Sequence, residues 1–251
     1  MKNWKDNLQY FPQMRIIGRL AAQCLDEIEP YVKSSVTTAE LEEFIIDFQT
    51  RHHLKNSQYK FHGFPAFACI GKNDVVCHGV PSKNIMLNNG DIVKIDVTFN
   101  LDGFHGDTAR TFPVGKPDHD TYQLLLTGKT ALNMGIAQSY PGNHLSDIGA
   151  AIESYVIGQK FSIIKDFTGH GILRQMHEAP IIRHYWEPAA PETEILPGMT
   201  FTIEPIVCAG TPNVRVLSDK WTTVTTDRSW CAQEEHTLGI TEDGVEIFTI
   251  S

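Results

Sequence analysis

The chain has no apolar run near the roughly 18 residues needed to cross a bilayer, so no helical membrane span is expected. The N terminus, MKNWKDNLQYFPQM, lacks the apolar stretch of a secretory signal, and Asp6 argues against a transit peptide. Positive charge is in short supply: 21 Lys and Arg face 30 Asp and Glu, for a formal net charge of −9. Neither nucleic acid nor an anionic membrane surface is therefore an expected partner. Cysteine is sparse and irregular. Cys24, Cys69, Cys77, Cys208 and Cys231 form no C-x-x-C pair and are odd in number. Reduced thiols in a cytoplasmic protein follow more readily than a disulfide framework. Low-complexity stretches and long linkers are missing too, so residues 1–251 are expected to form one α/β domain.

What is present falls into two similar halves. Apolar positions Ile16, Leu20, Ala21, Cys24, Leu25 and Ile28 predict a helix over 12–29 that Pro30 ends. Thr37 or Thr38 can cap a second helix, with Glu40 near its third position and Leu41, Phe44, Ile45 and Phe48 inward. β-rich segments follow. Beyond Pro117 the order repeats: a helix through DTYQLLLTGKTALNMGIAQ, another that Ser146 or Asp147 can cap, then strands and loops to the C terminus. The recurrence suggests an internal duplication without a residue-level repeat.

Residues 91 to 112, DIVKIDVTFNLDGFHGDTARTF, read as a hairpin, because Asp102-Gly103 between apolar runs is a strong turn signal. Period-two alternation puts Ile92, Lys94, Asp96 and Thr98 on one face. A loop of residues 100 to 103 would set Asp96 directly opposite Asp107, whereas a loop of Asp102-Gly103 alone would make them diagonal neighbours. Either register brings two like charges together on one surface, a cost that a cation between them removes. Asp96, Asp107, His170, Glu204 and Glu235 are then the candidate ligands, each in or beside a β-rich segment. Four carboxylates and one imidazole in a single buried site call for about two divalent cations. Oxygen donors with one nitrogen suit Mn, Fe, Co or Zn, and do not resemble a structural zinc set of Cys and His.

Five segments resemble, in order and spacing, the signatures of the type I methionine aminopeptidases: VVCHGVP (75 to 81), KIDVTFNLDGFHGDTARTF (94 to 112), TGHGILRQMHEAP (168 to 180), GMTFTIEPIV (198 to 207) and AQEEHT (232 to 237). The resemblance implies the pita-bread fold, two α/β halves related by a pseudo-twofold axis around a dinuclear metal site. It implies that Asp96 holds one metal, that Asp107 and Glu235 bridge both, and that His170 and Glu204 complete the second. A water bridging the metals would be the nucleophile and Glu204 its general base; His78 and His177 would bind the scissile amide and steady the tetrahedral intermediate. Phe61, Phe64, Cys69, Met176 and Trp221 would hold the methionine side chain, together with those two histidines. Backbone carbonyls of Asn73, Val75 and Cys231 would hold a monovalent cation. The implied substrates are N-terminal methionyl peptides and nascent chains, met at the ribosome by a monomeric enzyme that prefers a small second residue. The short gap from Glu204 to Glu235 leaves no room for the helical insertion of type II enzymes, and a start at Met1 implies no zinc-finger extension. Five positions depart from the family pattern. Phe61 and Phe64 stand where Tyr is frequent, Met176 where Phe is common, Leu173 where glycine is usual, and Glu234 where an aromatic is usual. If that glycine needs a positive φ, Leu173 would be strained.

Overall fold

The structure, a computed structural model, describes residues 3–251. Its first long helix runs Phe11–Ile28, and the chain leaves it through a short 3-10 turn containing Pro30. The buried stripe is Met14, Ile17, Ala21, Cys24, Leu25 and Ile28. Ile16, expected on that stripe, is 54% exposed, because the i, i+3, i+4 face is phased on Ile17 instead. Of the two threonines before the second helix, Thr38–Arg51, it is Thr37 that caps. Its hydroxyl accepts from Glu40 N at 3.3 Å, and the Glu40 carboxylate accepts Thr37 N–H at 2.8 Å. Asp118 caps the third helix, His119–Gln138, by accepting Thr121 N–H at 2.8 Å. The fourth, Leu145–Gly158, starts two residues earlier than a cap at Ser146 would place it, and three earlier than a cap at Asp147. His144 is its cap residue, and Asp147 sits inside the first turn, accepting His144 N–H at 2.8 Å.

The central hairpin pairs Ile92–Leu101 with Phe104–Pro113 through a two-residue turn, Leu101 opposite Phe104. Asp102 and Gly103 have φ of +54° and +81°, the two positive values a type I′ turn requires. Asp96 therefore lies opposite Ala109 and Asp107 opposite Thr98, so the two carboxylates are diagonal neighbours. Val93, Ile95, Val97 and Phe99 point the other way, into a core with the first two helices. The same strand also pairs with Cys69–Lys72 and Lys55–Asn56.

The second half repeats the scheme. Its five-stranded sheet runs Val245–Ile247, His236–Ile240, Thr200–Ile203, Gly169–Gly171 and Glu178–Ile182 in spatial order, every adjacent pair antiparallel. Phe201, Ile203 and Leu238 pack against Leu132, Ile148 and Ile152 of the third and fourth helices. Both halves thus set a helix pair outside and an antiparallel sheet inside, which is the pita-bread architecture. Threonine hydroxyls seam them together. Thr237 Oγ1 donates to Asp107 O at 2.7 Å and accepts Asp107 N–H at 3.1 Å, and Thr111 Oγ1 does the same for Gln233 at 2.7 and 2.9 Å. Thr108 Oγ1 donates to Glu235 O at 2.7 Å, and Glu235 N–H reaches Ala109 O at 2.9 Å. The inward faces of both sheets meet along this seam.

Candidate metal centre

Asp96, Asp107, His170, Glu204 and Glu235 converge at the seam. In three overlapping groups, Asp96/Asp107/Glu235, His170/Glu204/Glu235 and Asp107/His170/His177, one donor atom per residue lies within 4.8 Å of the others. Four of the five side chains are aimed by a neighbour. Gln58 Nε2 donates to Asp96 Oδ1 at 2.9 Å, Thr98 Oγ1 to Asp107 Oδ1 at 2.7 Å, and Thr202 Oγ1 to Glu204 Oε1 at 2.9 Å. His170 Nδ1 lies 3.1 Å from Gly171 O, and a carbonyl can only accept, so Nδ1 carries the proton. Its Nε2 lone pair then faces Asp107 Oδ2 at 3.7 Å and Glu204 Oε1 at 3.6 Å. These separations are too long for hydrogen bonds. Atoms that share a metal stand at this kind of distance.

The electrostatics point the same way. Burial, then the charges of the neighbouring carboxylates, drives the carboxyls of Asp96, Glu204 and Glu235 well above their usual range. Burial lifts Asp107 to about 7 and pushes His170 down to about 3, so the imidazole is neutral. Among the described residues, no lysine or arginine forms an ion pair with any of the four acids. Oxygen-rich donors, one neutral nitrogen and uncompensated negative charge fit divalent cations.

Above the acids opens a cavity of about 590 Å³ lined by all five, by His78 and His177, and by Phe61, Phe64, Cys69, Met176 and Trp221. His78 has φ of +52°, a left-handed backbone at the cavity wall. Gly79 makes that geometry feasible: a Cβ there would stand 2.4 Å from Ile70 O, and Ile70 N–H bonds Gly79 O at 2.9 Å. Burial holds the His78 imidazole below its ordinary range. The His177 ring leans on His170 at 4.1 Å between centroids and meets Phe61 edge-on at 5.1 Å; Phe64 and Trp221 meet edge-on at 5.3 Å.

Sequence reasoning missed Gln58, His62, Phe167 and Ile181 among the lining residues. Gln58 comes from an irregular loop and carries no periodic signal, whereas Phe167 could have been found from its place just before Thr168-Gly169-His170. The strain expected at Leu173 is absent. Its φ is not positive, its side chain fills the first-half core, and its carbonyl accepts His105 N–H at 3.0 Å. Glu234 points away from Glu235 as parity requires, accepting Thr111 N–H at 3.1 Å, with its carboxyl raised to about 7 by burial. Asn73, Val75 and Cys231 do not line the cavity. Their carbonyls already have protein donors: Lys94 Nζ reaches Cys231 O at 2.7 Å and Asn73 O at 3.1 Å, and Cys231 Sγ reaches Val75 O at 3.2 Å. As arranged, that set does not fit a monovalent cation.

Four buried carboxylates and a neutral histidine, at a cavity between two like α/β halves, form the donor set of a metal-dependent hydrolase. The chain belongs to metallopeptidase family M24, whose sequence model matches residues 12–242. Within it the chain groups with the methionine aminopeptidases. It is similar to that of Escherichia coli (strain K12), with 45% identity over 241 residues, covering 95% of this chain and 90% of that one. Methionine aminopeptidase A of Synechocystis sp. is 42% identical over 238 residues, covering 95% of this chain and 94% of its own. The crystal structure of methionine aminopeptidase from Rickettsia prowazekii superposes with a TM-score of 0.93 at 42% identity, covering 96% of this chain and 97% of that one.

Proposed function

We propose that this chain hydrolyses the first peptide bond of methionyl peptides and proteins, releasing free methionine. The carrying observation is the juxtaposition of the five-residue donor set with an apolar, sulfur-containing pocket. Asp96 would hold one divalent ion, Asp107 and Glu235 two in common, and His170 and Glu204 the second, with Mn, Fe, Co and Zn as the candidates. When bound, such ions supply Lewis acidity at the peptide carbonyl and make a water molecule acidic enough to attack near neutral pH.

The chain's own groups do the rest. Glu204, held by Thr202, accepts the proton of the attacking water and passes it toward the leaving amine. His78 and His177 hydrogen-bond the scissile amide and stabilise charge on its oxygen as the carbon becomes tetrahedral. Phe61, Phe64, Cys69, Met176 and Trp221 enclose the methionine side chain, a flexible thioether that packs well on polarisable walls. Preference for a small second residue is part of the same proposal, with the Phe61 and His177 rings, 5.1 Å apart, both at the cavity wall. Nascent chains at the ribosome are the inferred natural substrates. Action as a monomer is part of the same proposal, and five free buried cysteines support a reducing, cytoplasmic setting.

The test strips the protein with chelator and restores Mn, Fe, Co or Zn singly before assaying methionine release from Met-Ala-Ser and Met-Gly peptides. Cleavage should return with at least one ion, while Xaa-Pro peptides stay intact. Stoichiometric metal binding with no methionine release would end this reading.

A further inference from the structure

Lys94 lies on the inward face of Ile92–Leu101, two residues before Asp96, and is only 3% exposed. Its side chain runs across the neighbouring strand at Gly71, where an added Cβ would already stand 3.5 Å from Lys94 Cε. It contributes no ligand and does not line the catalytic cavity. The ammonium ends instead among main-chain oxygens from both halves, at 2.7 Å from Cys231 O and 3.1 Å from Asn73 O. Asn73 O also accepts Cys231 N–H at 3.2 Å, and the Cys231 thiol takes Val75 O.

Converging carbonyls with a positive charge at their focus form a cation cradle, and an ammonium is close to potassium in size and in its demand for such oxygens. We propose that Lys94 supplies from within the chain the charge that a monovalent cation would otherwise bring to these carbonyls, so that the protein is indifferent to sodium and potassium. The charge sits where three segments meet. The Asn73 turn leads through Val75–Cys77 to His78, the Lys94 strand carries Asp96, and Cys231–Gln233 leads to Glu235. One tethered cation therefore holds together strands of opposite halves that end at the metal and substrate sites. This inference stands whatever peptide the enzyme accepts.

The test compares thermal unfolding of the metal-loaded protein in potassium, sodium and choline chloride at fixed ionic strength, for the wild type, Lys94→Ala and Lys94→Met. The wild type should melt at the same temperature in all three salts. Lys94→Ala leaves the carbonyls and the space for an ion, so potassium or sodium should raise its Tm saturably by about 5 °C over choline. Lys94→Met fills that space with an apolar chain and should be destabilised without responding to any salt. Saturable stabilisation of the wild type by potassium or sodium would overturn the proposal. So would a folded Lys94→Ala that ignores all three salts, or one that folds in none of them, because a free ion could then not replace the ammonium.

Discussion

Removing the metal should make stability fall more steeply with rising pH, and restoring it should remove most of that fall. In the metal-free protein, burial and mutual repulsion hold the carboxyls of Asp96, Glu204 and Glu235 well above their usual range and Asp107 at about 7. An acid whose folded pKa is raised binds more protons folded than unfolded, so stability is lost as pH climbs from the unfolded pKa through the folded one. The histidines act in the opposite sense. His170 and His184, both pushed to about 3, favour the folded state as pH rises, but only until unfolded imidazole deprotonates near pH 6.5. Above about pH 6.5 the carboxyls dominate: the four at the metal site, and Glu234, which burial raises to about 7 and which, not being a ligand, keeps its share of the fall after loading. From about pH 6.5 to about pH 8 Asp107 alone should cost on the order of 1 kcal/mol, and each acid still protonated at the upper limit about 2 kcal/mol more. Divalent cations bind only the ionised carboxylates, so loading should flatten the slope and release protons. Urea unfolding of chelator-stripped and manganese-loaded protein measures both slopes, and calorimetric titration in buffers of different ionisation enthalpy counts the protons. A metal-free protein as stable at pH 8 as at pH 6.5, with no proton release on loading, would refute the placement of four mutually repelling acids in one buried site.

Two substitutions separate the roles around that site. His177→Ala should leave metal content unchanged and lower kcat about 10²-fold or more, the usual effect of losing one donor to a developing oxyanion; unchanged turnover with metal analysed by atomic emission would remove His177 from the chemistry. Gln58→Leu takes away the amide that donates to Asp96 Oδ1 at 2.9 Å, and metal affinity should drop about 10- to 100-fold, as for other groups that orient a ligand. Competition with a fluorescent chelator reads that affinity, and a change of less than about twofold would show that Asp96 needs no such support.

The parts of the site that were legible lie on regular elements or directly beside their ends. Strand parity alone put Lys94, Asp96 and Thr98 on one face, and the turn residues narrowed the hairpin to two registers. The structure takes the tighter one, because Asp102 and Gly103 both adopt positive φ and a four-residue loop is not needed. Parity also separated Glu235 from Glu234. What could not be read depends on the meeting of distant segments. Gln58 reaches Asp96 from an irregular loop, and His184 accepts Glu204 N–H at 3.1 Å across twenty positions of sequence. Neither spacing has a period. Ile16 was misplaced for a local reason: adjacent apolar residues at Ile16 and Ile17 leave the phase of the stripe open, and only packing on the sheet decides it.

Lys94 shows how far parity can carry an argument and where it stops. A lysine at the inward position next to Asp96 conflicts with burial, and that conflict is visible in the sequence. An ion pair with Asp96 or Asp107 would be the obvious resolution, yet the side chain bends to the carbonyls of Asn73 and Cys231 instead. Had it paired with the acids, its charge would have competed directly with divalent ions for the same oxygens. Housed among carbonyls, the ammonium is satisfied by neutral dipoles and leaves all four carboxylates to the metals. The fold can therefore keep one tethered cation and recruit exchangeable ones a few residues away, provided the two sets of acceptors remain separate. Thr98 and Gln58, hydrogen-bonded to Asp107 and Asp96, keep those carboxylates turned toward the ligand cluster, so the separation is built from neutral donors.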